Sequence, residues 1–412
     1  MAQRTFWLSL LGLSWLLAAC ASQPPTAMPA ASPTPSPRPS PSPTPPRMTC
    51  RLVAQPRPTP DPSTYLLPQD HLRGAPDASV VLLMYGDFQC PGCAALAQSL
   101  QRLQATFGPQ AVAVVYRHFP LAEDNDKALL AVQAAEAAAR QAAFWPFHDA
   151  LYARQAEWRD LTPDAFRAWL LDTAAALGLD PQAFAADLDD PALAAQAQAA
   201  WQVGLKAGLR AVPALFVNGQ PYTGPPTYDA LRTVVALELL AARQFHRCPP
   251  WVLRPQRVYR LTFETNRGPV ALLLDPSLAP QAVNSLVFLA REGWFDAMPV
   301  YRVEPGRAVY WGDPSGTGYG HAGYFFDLEL SPAMRYDAAG WVGLVNEGPG
   351  TNSSRFFITL APWPALNGRA TRVGRVVQGL AVLQSLPAWP ADGSPTAGPP
   401  LQVLHARVDE SE

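Results

Sequence analysis

The chain is poor in charge: Lys, Arg, Asp and Glu make up 16% of its 412 residues, and the formal balance is only −2. So weak a field cannot gather phosphate backbones, and no long basic run or aromatic-basic interleaving acts locally in its place, which excludes nucleic acid as a partner. Histidine is scarce as well. The six, His71, His118, His148, His246, His321 and His405, are scattered rather than clustered, so no metal site is expected, and no cofactor motif appears. Long hydrophobic runs are missing. The apolar stretch from Phe6 to Leu17 is shorter than the roughly 20 residues a permanent bilayer helix needs. What remains is globular material, 49% hydrophobic, in a chain longer than one core usually serves, so two domains are expected.

Arg4, the apolar run and Leu17-Ala18-Ala19-Cys20 follow one another in the order of a secretory signal. The last four residues resemble the bacterial lipobox. That resemblance implies that residues 1–20 are a lipoprotein signal, that Cys20 is lipidated, and that the protein is extracytoplasmic and anchored to the bacterial cell membrane. The other reading is an ordinary cleaved signal with an incidental cysteine. From 21 to 62 proline alternates with serine, threonine and alanine, as in Ser32-Pro33-Thr34-Pro35. Such a stretch has little to bury and extends as polyproline II at about 3 Å per residue, a disordered tether.

Four cysteines remain beside Cys20, in a compartment where disulfides persist. Cys50 and Cys248 flank the first domain and could close it with a bridge worth about 4 to 5 kcal/mol for so long a loop. Alternatively Cys50 stays free or pairs between molecules. Cys90 and Cys93 form a unit. The buried run Val80 to Tyr85 leads through Gly86-Asp87-Phe88-Gln89 into Cys90-Pro91-Gly92-Cys93 and then a helical pattern. This puts Cys90 at a helix N-terminus, where unpaired amides and the helix dipole stabilise a thiolate, and Cys93 one turn inside, where it can resolve a mixed disulfide. A CxxC is also half a zinc site, but no second ligand pair stands at suitable spacing. Further strands are expected at Ala111 to Arg117 and Ala214 to Val217, with a long alanine-rich helical region between them.

Asp87-Phe88-Gln89-Cys90-Pro91-x-Cys93, Arg117-His118-Phe119-Pro120-Leu121, Ala142-Ala143-Phe144-Trp145 and Val212-Pro213-Ala214-x-Phe216-Val217-Asn218-Gly219 occur in the order of the DsbA-like branch of the thioredoxin superfamily, which residues 63–247 resemble. The resemblance implies an α/β thioredoxin-like fold with a helical insertion. It also implies a cis Pro213 opposite the cysteines, with the Val212 backbone free to pair with an extended substrate. Many relatives carry an acidic residue at the position of Met84, where it helps take the proton of the resolving thiol.

After a linker at 248–257, short apolar and alternating runs suggest a mainly-β domain over 258–412, with a helix around Ala279 to Glu292. Gly316-Thr317-Gly318-Tyr319-Gly320 reads as a turn, since it joins no strand to a helix. Ala282-Val283-Asn284-Ser285-Leu286, Tyr301-Arg302-Val303, Gly312-Asp313-Pro314, Phe356-Phe357-Ile358-Thr359 and Leu366-Asn367-Gly368 resemble a cyclophilin, a closed eight-stranded barrel family of prolyl cis-trans isomerases. By motif position Arg302 is the guanidinium that weakens the prolyl amide, Phe357 and Leu366 line the proline pocket, and Asn346 contacts substrate backbone. Several positions depart from the family: Arg307 and Ala308 stand for phenylalanine and methionine, Tyr310 and Arg355 for two glutamines, and Ala370 for histidine. Loss of those walls should loosen the pocket, and reduced, altered or absent isomerase activity is expected. The function so implied is an envelope thiol-disulfide oxidoreductase. Its partners would be exported proteins or peptides bearing cysteines or prolines, and a redox protein. The alternative is a lipid-anchored peptide-binding module.

Overall fold

The structure, a computed structural model, describes residues 47–53, 66–67, 70–389 and 401–412. Cys20 and most of the expected tether lie outside the described residues. Among those described, no helix is long and apolar enough to cross a membrane.

In chain order, strand β1 is Arg51–Leu52, β2 His71–Arg73 and β3 Val80–Gly86, followed by helix α1, Pro91–Phe107, and β4, Val112–His118. Six helices come next: α2 (Ala128–Arg140), α3 (Phe144–Ala153), α4 (Gln155–Trp158), α5 (Pro163–Ala176), α6 (Pro181–Leu188) and α7 (Pro191–Lys206). The first domain ends with β5 (Ala214–Val217), β6 (Gln220–Tyr222) and α8 (Tyr228–Ala241). Its five strands run in the order β2-β4-β3-β5-β6, with β3 and β4 parallel and the other pairs antiparallel. Every residue of central β3 is buried, as a strand covered on both faces requires. Val80, Leu82 and Met84 face one core, shared with α1; Val81, Leu83 and Tyr85 face another, where Trp201 and Leu205 of α7 pack.

Four of these helices start the same way, with a capping side chain followed by proline. Thr162 accepts from the Ala165 N–H, Asp180 from Gln182 and Ala183, and Asp190 from Ala192, and Pro163, Pro181 and Pro191 supply the first-turn backbone angle. At α1 the cap is Cys90 and the proline Pro91. A sulfur thus occupies the position that an oxygen fills in the other three.

The second domain comprises β7 (Val258–Thr265), β8 (Val270–Leu274), α9 (Pro280–Arg291), β9 (Arg302–Glu304), β10 (Ala308–Trp311) and β11 (Tyr324–Phe325). It continues with β12 (Trp341–Leu344), β13 (Phe356–Thr359), β14 (Arg372–Gln378), α10 (Leu380–Gln384) and β15 (Val403–Ser411). Eight strands form one curled antiparallel sheet in the order β15-β7-β8-β14-β12-β13-β10-β9. Beside its end strands Pro299 bridges to Gln402, with Val300 N–H on Leu401 O and Val403 N–H on Met298 O, both at 2.8 Å.

The expected tether and linker limits give way to packing. Residues 47–53 lie on the second domain: Met48 is buried in its core, Thr49 bonds Gln281, and β1 pairs with β11. Within 248–257, Val252 and Leu253 pack on the same core, and Val252 N–H donates to Asn284 Oδ1. Cys50 and Cys248 are bonded to each other, with Cα atoms 5.8 Å apart. The bridge therefore does not close the first domain's core but clasps the segments on either side of that domain to the second. The end of α8 joins them, with Leu240 in the second core and Phe245 ring-packed on Phe288 at 4.9 Å.

Changing Cys50 and Cys248 together to alanine should lower stability by about 2 to 5 kcal/mol. The loss should fall on the second domain, which holds the clasped segments. Denaturant unfolding followed separately by Trp158 in the first core and Trp311 in the second would resolve it; an equal loss in both contradicts this placement.

Candidate functional site

Cys90 is half-buried and Cys93 buried, both as free thiols. Cys90 Sγ accepts the Cys93 N–H at 3.2 Å and lies 4.0 Å from Val212 O. The Val212-Pro213 peptide is cis, and a Cβ placed on Gly92 would come within 3.3 Å of Pro213 Cδ, so the proline faces the CxxC turn. The Cys93 thiol's hydrogen bond, helped by the amides of Cys93 and Gly92, outweighs burial and Asp87 and brings the Cys90 pKa down to about 7. Burial, then hydrogen bonding to Cys90, pushes Cys93 far up. The pair is thus one accessible anion and one retained proton.

Asp87, ahead of the CxxC, has its carboxylate occupied. Its carboxylate accepts from Gln89 N–H at 2.7 Å, Leu121 N–H at 2.8 Å and Asn125 Nδ2 at 2.9 Å. It shapes the turn ahead of Cys90. Gln155 completes that turn, its buried amide donating to Phe88 O at 2.7 Å and Cys90 O at 3.1 Å. Nothing in the sequence marks Gln155, which lies 65 residues away on α4.

The scattered histidines are not all scattered in space. His71, His118 and Glu136 bring ligand atoms within 4.8 Å of one another. β2 and β4 are neighbours in the sheet, a pairing that the 47-residue separation of His71 and His118 conceals. The reading of the histidines as scattered is therefore corrected for His71 and His118, which meet at Glu136.

In the second domain strand register assembles the site. Tyr310 pairs with Arg302 on one side and Phe357 on the other. Leu366 packs on Phe357, Tyr336 and Ala370, and Asn346 Nδ2 donates to Arg369 O at 3.2 Å. The four expected residues thus gather on one side of the sheet. Phe357 is buried, with the rings of Tyr336, Trp363 and Tyr310 centred 5.7, 6.0 and 6.3 Å from it, and Arg307 stacks on Trp363 at 4.2 Å.

Glu304 changes the electrostatics there. It forms ion pairs with Arg302 and, at 3.4 Å, with Arg307, while the Arg302 guanidinium lies 5.2 Å from the Tyr310 ring centre. Two residues after Arg302 on one strand, Glu304 was legible as a same-face partner. Arg355 is buried, paired with Glu347 at 2.8 Å and with Gly318 O.

Two family models match the chain: "Thioredoxin" over residues 67–236 and "Cyclophilin type peptidyl-prolyl cis-trans isomerase/CLD" over 260–408. The second region is 38% identical over 146 residues to peptidyl-prolyl cis-trans isomerase ppi1 of Schizosaccharomyces pombe, covering 35% of this chain and 94% of that protein. It is 34% identical over 155 residues to peptidyl-prolyl cis-trans isomerase-like 1 of Gibberella zeae, covering 37% and 96%. Among solved structures, the Cryptosporidium parvum cyclophilin type isomerase cgd2_1660 aligns with 27% identity over 38% of this chain and 99% of its own, TM-score 0.35. Wolbachia pipientis alpha-DsbA1 aligns with 19% identity over 43% and 94%, TM-score 0.38. The chain belongs to the cyclophilin-type peptidyl-prolyl cis-trans isomerase family, its isomerase-like domain fused behind a thioredoxin-like one.

Proposed function

We propose that the protein is a lipid-anchored envelope thiol-disulfide oxidoreductase acting on exported proteins, with a second domain that holds or slowly isomerises their proline-containing segments. The observation that carries the reading is Cys90 as a sulfur cap on α1, facing a cis proline. The Cys90 thiolate attacks one sulfur of a substrate disulfide, forming a mixed disulfide and expelling the other sulfur as a thiolate that takes a proton from solvent. Cys93 then loses its proton and attacks Cys90 Sγ, which releases the reduced substrate and leaves a Cys90–Cys93 disulfide. Run backwards, the same steps oxidise a substrate dithiol. A redox protein restores the starting form, and Val212 supports an extended substrate beside the sulfur. Incubation of the purified protein with a disulfide or dithiol peptide tests this, and exchange no faster than the uncatalysed rate rejects it.

A second reading for the C-terminal domain is binding without catalysis, favoured by Glu304 holding Arg302 and by the covered Phe357. The barrier to rotation is about 18 to 20 kcal/mol, and a guanidinium donating to the prolyl nitrogen lowers it by weakening the amide resonance. With a proline peptide, weak acceleration is expected from the wild type, none from Arg302→Ala, and severalfold more from Glu304→Gln, which frees the guanidinium. Identical uncatalysed rates in all three would leave binding alone.

A further inference from the structure

The thiol chemistry leaves one buried cluster without a role. His71 on edge strand β2, His118 at the end of β4 and Glu136 on α2 meet behind Phe88. His71 Nε2 lies 2.8 Å and His118 Nε2 2.9 Å from the same oxygen, Glu136 Oε1. Register explains the meeting: His71 pairs with Tyr116, so His118, two residues on, projects from the same face. The walls are aromatic. His71 stacks on Phe144 with ring centres 3.3 Å apart, and His118 lies 5.7 Å from Phe88. The cluster opens at His71, whose side chain is 17% exposed against 8% for His118 and 10% for Glu136.

We propose that His71, His118 and Glu136 form a binding site for a divalent transition-metal cation, with zinc the ion the donor set fits best. Two imidazoles and one carboxylate, with a fourth position open towards solvent, are the ligand set of open zinc sites, and related sets hold iron.

The geometry is close to ligating. Donors bound at about 2.0–2.2 Å around a tetrahedral cation stand roughly 3.4 Å apart, so the two imidazole–carboxylate pairs, now at 2.8 and 2.9 Å, must each open by about half an ångström. Glu136 is reached from a helix and the two histidines from strands, which lets side-chain rotation supply that change. His118 Nδ1 has no hydrogen-bond partner among the described residues. Coordination through Nε2 moves the ring proton to Nδ1, and no existing bond is broken there. A bound cation would tie β2, an edge strand of three residues, to the sheet and to α2.

The competing account is a hydrogen-bonded cluster that never takes a metal. To separate them, the tag-free protein is freed of metal by chelation, its CxxC oxidised so that no thiolate competes, and titrated with cobalt(II) and then zinc(II) chloride. The expected result is one equivalent of cobalt with visible ligand-field bands and no thiolate charge-transfer band, displacement by zinc, and a rise in Tm on loading. His71→Gln, at the partly exposed edge, should weaken binding at least about tenfold while leaving the fold intact. Glu136→Gln should do the same, but its burial makes it the secondary variant. Absence of cobalt bands and of retained zinc in the wild type would overturn the proposal, as would a His71→Gln protein that binds as tightly.

Discussion

Replacement of Cys90 by serine is expected to bring disulfide exchange down to the uncatalysed rate, because the hydroxyl that would cap α1 is not ionised at neutral pH and has no sulfur chemistry. The wild type should show why. With the Cys90 pKa lowered from 9.0 to about 7, roughly half the molecules carry the thiolate at pH 7, against about one in a hundred at the ordinary value. Alkylation of Cys90 by iodoacetamide should therefore rise with a midpoint near pH 7 and fall about tenfold for each unit below it. Cys93→Ala removes the largest stabilising contact, so the midpoint should move upward, and the variant should accumulate mixed disulfides visible by mass spectrometry. A wild-type midpoint near 9 would remove the physical basis of the proposed activity.

Asp313→Ala should cost the second domain several kcal/mol. This side chain is fully buried and accepts from the N–H groups of Ser315 at 2.8 Å, Thr317 at 3.2 Å, Gly318 at 2.7 Å and Gly320 at 3.0 Å, and from the Ser315 and Thr317 hydroxyls. Each donor left unpaired and shielded from water costs about 1 to 3 kcal/mol, so loss of even three outweighs any gain in apolar contact. The loop also closes against α8. A Cβ at Gly320 would lie 2.0 Å from Asp313 Oδ1 and 2.7 Å from Leu240 Cδ2, so only glycine fits. Because Gly318 O receives Arg355, collapse of the loop should also release a charge at the edge of the prolyl site. Denaturant unfolding measures the stability change. A loss under about 1 kcal/mol would mean that water replaces the carboxylate.

Local patterns carried much of this in advance. The apolar run 80–85 followed by a turn and a capped helix is a strand-to-helix handover wherever it sits, since burial and capping act within a few residues. The same holds for α9, expected at 279–292 and found at Pro280–Arg291. The domain limits were less legible. Proline-rich composition describes how a segment behaves alone, yet Met48 and Val252 are held by a core built from residues far along the chain.

What the amino-acid sequence by itself determined is the order of the two domains, the CxxC at a helix start and the candidate residues of the prolyl site, because each is a matter of short spacing and residue chemistry. Tertiary structure alone decided which domain the Cys50–Cys248 bridge serves, that Glu304 and a set of aromatic rings cover the prolyl site, and that His71 and His118 share Glu136. Those outcomes depend on strand neighbours and sheet register, which bring together side chains that no local interval relates.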